Sequence, residues 1–123
     1  MPHVLIECSA NISSRPEPIL LLKKIANLLP QLGPFNQRDI KSRMIYHDHY
    51  CCGDGAKNKA FIHLELSILS GRPDELKSQV SKALGDLLLN EFEQALQGLD
   101  YSITVDIREL NKACYTKILS PEM

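Results

Sequence analysis

The run Ala60-Phe61-Ile62-His63-Leu64-Glu65-Leu66-Ser67-Ile68-Leu69, continuing as Ser70-Gly71-Arg72-Pro73-Asp74-Glu75, decides how this chain folds. Ile62, Leu64, Leu66 and Ile68 point one way and His63, Glu65 and Ser67 the other, the period of two that marks a half-buried strand. Pro73 then suits the first turn of a helix, with Asp74 and Glu75 at its positive end. Leu76, Val80, Ala83, Leu84, Leu87, Leu88, Ala95 and Leu96 continue as an apolar stripe, which Gly98 is expected to end. Tyr101, Ile103, Val105 and Ile107 alternate with Ser102, Thr104, Asp106 and Arg108, giving a further strand. This half of the chain reads β-α-β.

Toward the N-terminus the same order recurs. Val4 to Cys8 is a short apolar strand, and Ser13-Ser14 with Pro16-Glu17-Pro18 supply helix-start residues. Ile19, Leu22, Ile25, Ala26 and Leu29 follow at helical spacing, with Pro30, Gly33 and Pro34 closing the helix. Ile40 to about Tyr50 reads as extended, and Cys51 to Lys59, with Gly53-Asp54-Gly55, as a loop. The expected fold is α+β: two consecutive βαβ units forming a four-stranded mixed sheet with two helices on one face. A single domain over residues 1–123 accommodates it. Nothing in the chain is left to cover the other face, which predicts an oligomer whose subunits meet through their sheets.

Composition narrows the function classes. Hydrophobic residues are 44% and charged residues 24%, both ordinary for a globular protein. Fourteen basic residues against fifteen acidic ones leave a net charge of −1, without the basic surplus of a general nucleic-acid binder. Ile19-Leu20-Leu21-Leu22 is far shorter than the roughly 20 apolar residues that span a bilayer. Pro2, His3 and Glu7 interrupt anything resembling a secretory signal, so a cytoplasmic protein is expected, with no membrane and no nucleic acid among its partners. Cys8, Cys51, Cys52 and Cys114 show no paired C-x-x-C spacing and are expected as free thiols.

Chemistry is suggested at three places. Removal of Met1 before the small Pro2 would leave a secondary amine whose pKa, roughly 7.7–8.0 for a terminal amino group, suits a general base. A proline that merely follows the initiator is the plain alternative. Lys41 and Arg43, two apart on one strand, and Arg72, before a helix start, are candidate carboxylate binders; solvated charge is the alternative for each. His47, His49, Cys51 and Cys52 are potential metal ligands, but their spacing matches no standard site, and no metal is expected. The βαββαβ order is also that of ferredoxin-like domains, many of them non-catalytic small-ligand modules, whose neighbouring strands run antiparallel.

Pro2-His3-Val4-Leu5-Ile6-Glu7-Cys8-Ser9 with Asn11-Ile12, Ile40 to Arg43, Ala60-Phe61-Ile62-His63-Leu64 and Gly71-Arg72 together resemble the 5-carboxymethyl-2-hydroxymuconate isomerase family of the tautomerase superfamily. The resemblance spans roughly residues 2 to 110. It implies a homotrimer of tautomerase-like protomers and cofactor-free active sites near subunit interfaces. The substrate would be an unsaturated di- or tricarboxylate from aromatic-compound degradation. The family's catalytic proline falls on Pro2 and its carboxylate-binding arginines on Lys41 and Arg72, with Arg43 as a further cation. Lysine at 41 departs from the arginine of the relatives, keeping the charge but losing the planar fork. Superfamily members that hydrate or decarboxylate related acids are the nearest alternative.

Overall fold

The computed structural model describes residues 1–121; residues 122–123 of the expected domain lie outside it. Strand β1 spans His3–Ser9, helix α1 Pro18–Leu32, β2 Lys41–His47, β3 Lys59–Leu69, α2 Asp74–Phe92 and β4 Asp100–Leu110. One sheet holds them in the order β2-β1-β3-β4. β1 pairs in parallel with β2 and β3 in parallel with β4, whereas β1 and β3 run antiparallel. Each unit therefore pairs its own two strands side by side. That is the tautomerase-like arrangement, and it removes the ferredoxin-like alternative.

The period-two reading of β3 holds at each position: Ala60, Ile62, Leu64, Leu66 and Ile68 are buried, while the residues between them are partly exposed. Val4, Ile6 and Cys8 are buried on β1, and Leu21, Ile25, Leu29, Val80, Leu84 and Leu88 close over them from the helices. Burial pushes the Cys8 thiol up to about 12, which makes it a packing group rather than a nucleophile.

Helix ends depart from the sequence expectation in instructive ways. Glu17 caps α1, accepting from the Leu20 N–H at 2.8 Å, with Pro18 in the first turn. Ile19 lies off the buried stripe and is 58% exposed, because the core-facing positions begin at Leu21. Pro30 sits inside α1 rather than closing it. It cannot donate to the Ala26 carbonyl, and the Gln37 side-chain amide does so instead at 3.3 Å. At the other helix, α2 stops at Phe92, a fully buried residue outside the expected stripe. Ala95 and Leu96 are buried from the turns that follow, and Gly98, at φ +81°, ends those turns. β4 is an edge strand, so Ile103, Val105 and Ile107 are only partly buried and Tyr101 is exposed.

Both helices lie on the Val4–Ile62 face, leaving His3, Glu7, Lys41, Arg43, His63, Glu65 and Arg108 on the open one. Polar pairs run across that face. Glu7 meets His47 at 2.9 Å, His63 meets Thr104 at 2.6 Å, and Glu65 meets Arg108 at 2.8 Å. Among the described residues no helix is long and apolar enough to cross a membrane.

Leu64 sits at the centre of the core on an interior strand. Leu64→Ala is expected to cost about 2–5 kcal/mol of stability, and volume-conserving Leu64→Met under about 1.5 kcal/mol, measured by urea unfolding.

Candidate active site

Sheet register brings distant parts of the chain to one end. His3 stands opposite Lys41 on one side and Ser67 on the other, and Leu69 stands opposite Leu110. The start of β1, the start of β2 and the ends of β3 and β4 therefore share an edge of the fold. The Lys41 N–H donates to the Pro2 carbonyl at 3.1 Å, extending the β1–β2 ladder to the second residue. Pro2 is buried there.

The turn after β3 places Arg72. Gly71 has φ +118°, a left-handed backbone that favours glycine, and its N–H donates to Glu109 Oε2 at 3.3 Å. The Arg72 guanidinium then lies over the Phe35 ring, 4.8 Å from its centroid, and donates at 3.4 and 3.3 Å to the Leu69 and Pro34 carbonyls. Its Nε is buried without a hydrogen-bond partner. Gly33 makes room for this shelf: a Cβ there would lie 3.1 Å from Leu76 Cδ1 and 3.2 Å from Phe35 Cε2.

Pro2, Lys41 and Arg72 are brought together by this geometry. With Met1 in place the charged amine belongs to Met1, and the Pro2 nitrogen is an amide without a usable lone pair. Burial holds the Met1 amine below its ordinary value, and Lys117, Arg72 and Lys41 act in the same direction against an opposing Asp39. Arg43 stands one step further from the chain start, on the same open face as Lys41, opposite Leu5 and beside His3. Its guanidinium donates to His3 Nδ1 at a long 3.4 Å, so that Nε2 of the neutral ring carries the proton toward Tyr115 Oη at 3.2 Å. Burial, then Arg43 and Lys41, hold His3 below the usual histidine range, consistent with a neutral ring. Among the described residues, none of Lys41, Arg43 and Arg72 forms an ion pair, whereas Lys24, Lys59, Lys77, Arg108 and Lys117 each do.

Asp39, Lys117 and Tyr115 escaped the sequence reading. Asp39 closes a short 3-10 turn, Gln37–Asp39, and its carboxylate meets Lys117 Nζ at 3.2 Å. Asn36, Arg38, Asp39, Lys41 and Leu119 line a cleft of about 390 Å³ at this end of the sheet. The clue for Asp39 was its place two residues before Lys41. Lys117 follows a second 3-10 turn in a stretch without periodicity, and nothing local marks its partner.

The potential metal ligands do not converge. β2 ends at His47, which is held by Glu7 and stacked on Phe61 at 6.5 Å, so His49 and Cys51 leave the strand. Among the described residues no three His, Cys, Asp or Glu side chains form a metal-binding group. His63, joined to Thr104, lies away from the Pro2 end.

Residues 2–119 match the family model described as 5-carboxymethyl-2-hydroxymuconate isomerase, so the likeness runs past residue 110 and takes in the C-terminal segment. The 5-carboxymethyl-2-hydroxymuconate Delta-isomerase of Escherichia coli is 30% identical over 111 residues, covering 90% of this chain and 88% of that protein. A crystal structure of a 5-carboxymethyl-2-hydroxymuconate isomerase from Deinococcus radiodurans R1 superposes with a TM-score of 0.87 at 27% identity, covering 97% of this chain and 90% of that one. A fused 4-OT wild-type symmetric trimer shares the fold, with a TM-score of 0.68 at 17% identity over 90% of this chain and 87% of that one. These likenesses set the isomerase reading above the hydratase, decarboxylase and ligand-module alternatives. The chain belongs to the 5-carboxymethyl-2-hydroxymuconate isomerase family.

Proposed function

We propose that this chain, once Met1 is removed, moves a proton on a 2-hydroxymuconate-type di- or tricarboxylate with Pro2 as the base. The observation that carries the reading is the meeting of a buried chain start with the unpaired cations Lys41 and Arg72 at one sheet end. In the reaction the neutral secondary amine of Pro2 takes the proton of the dienol hydroxyl. Conjugation spreads the resulting charge to a distant carbon, the ammonium returns the proton there, and an unsaturated ketone leaves. Arg72, Lys41 and Arg43 hold the carboxylates and stabilise the dienolate. The chemistry requires neither metal nor nucleotide. The uncovered sheet face and the likeness to a symmetric trimer support a homotrimer, and the sequence features support a cytoplasmic setting.

The amine must be neutral to act as a base, so kcat/KM is expected to rise with pH through its pKa. Burial, with Lys117, Arg72 and Lys41 and against Asp39, holds the Met1 amine low. The Pro2 amine left by trimming would stand one residue further into the same surroundings, so the rise should be centred below the ordinary 8.0 of a terminal amine. An ultraviolet assay of dienol decay across pH tests this; a rise centred above 8.0 contradicts it.

Arg72→Ala is expected to lower kcat/KM for the dicarboxylate about 10- to 100-fold with the fold intact, the worth of a charge-assisted contact. An ester of the same substrate should show little difference between the two proteins. Lys41→Arg should be tolerated, since the charge remains; a loss as large as that of Arg72→Ala would mean the pocket is shaped around lysine.

A further inference from the structure

After β4 the chain turns back across the whole working end of the sheet. Asn111 caps the turn Lys112–Cys114 by accepting from the Ala113 N–H at 3.0 Å. Lys112 Nζ then lies over Gly71, 3.3 Å from where a Cβ would stand. Tyr115 reaches His3 on β1, Lys117 reaches Asp39 ahead of β2, and Leu119 lines the cleft beside Lys41. The segment thus starts at the β4 edge and finishes at the β2 edge, about three strand spacings or roughly 14 Å away.

We propose that Lys117 is a positioning residue of this active site, clamping the Asp39 carboxylate so that Lys41 and Arg72 stay free for substrate carboxylates. The inference rests on the isomerase reading. Asp39 is the one acid among the charged groups that act on the Met1 amine; the others are Lys117, Arg72 and Lys41. A free carboxylate here would repel an anionic substrate and compete for its cations. Lys41 is within reach of such competition, because its ammonium already donates to the Asp39 carbonyl at 3.3 Å. The Lys117 pair prevents it. Its two side chains are only 28% and 30% exposed, more covered than a free surface pair, and the hydrogen bond from Lys117 holds the Asp39 carboxyl below the usual carboxylate range. Tyr115 anchors the segment at His3, two residues before Lys117, which fixes where the ammonium is delivered.

The test is a cycle of Lys117→Met, Asp39→Asn and the double variant, in protein trimmed of Met1. Turnover of a 2-hydroxymuconate dienol gives KM and kcat. Separately, the pH dependence of reductive methylation of the terminal amine, followed by mass spectrometry, gives the titration of that group without turnover. Lys117→Met should raise KM about 3- to 10-fold with a smaller change in kcat, and move the amine titration to higher pH. Asp39→Asn added to it should restore both. The inference is overturned if Lys117→Met moves neither quantity, or if the double variant stays as impaired as Lys117→Met. Absence of dienol turnover in the parent protein would count against the isomerase reading alone, because the methylation arm still decides whether Lys117 offsets Asp39.

Discussion

The double-sided pairing of β1 is the constraint on which the rest depends. As an interior strand it lies parallel to β2 and antiparallel to β3, so its N-terminal end must meet the start of one and the finish of the other. Val4, Ile6 and Cys8 fix which side of the strand faces the helices. A register slip by one residue would turn those side chains outward and lift Pro2 away from Lys41. The same hydrophobic pattern that builds the core therefore delivers the chain start to the cations.

Burial and charge act together at that end. Taking an amine out of water disfavours its protonated form, and nearby cations do the same. The cost of gathering positive groups is contained by where each is held. Arg72 rests on the Phe35 ring and on backbone carbonyls, which satisfy part of its fork without neutralising its charge. Arg43 is set beside a neutral His3. Lys77, by contrast, lies between Asp74 and Glu109 and serves the scaffold.

Much of this was legible in the amino-acid order, because alternation in β3 and the stripe of α2 follow directly from which face is buried. Pro2, Lys41, Arg43 and Arg72 stood out by residue type and by their place beside strand ends. The structure divides them by distance from the chain start: Pro2, Lys41 and Arg72 meet at the sheet end, while Arg43, on the same open face as Lys41, lies one step along the strand beside His3. Ile19 was misplaced because helical spacing alone does not say where the buried face begins. Pro30 was misplaced because its helix is rescued by Gln37, a partner outside the helix. Phe92 and the end of α2 depended on turns that carry no period. Lys117 and Asp39 are 78 positions apart and meet only when β4 has been laid against β3. Local pattern holds no trace of such a contact.

The proposed proton transfer depends on the nitrogen of Pro2, and one comparison addresses it most directly. Protein with Met1 retained and protein with Met1 removed, each verified by intact mass, should be compared in the turnover of a 2-hydroxymuconate dienol. A positioned base contributes about 10²–10⁴-fold, and an amide nitrogen cannot act as one. The trimmed form should therefore be faster by that order while both forms keep the same fold. Equal turnover by the two forms would contradict the account and leave the sheet-end cations as a carboxylate-binding site without its base.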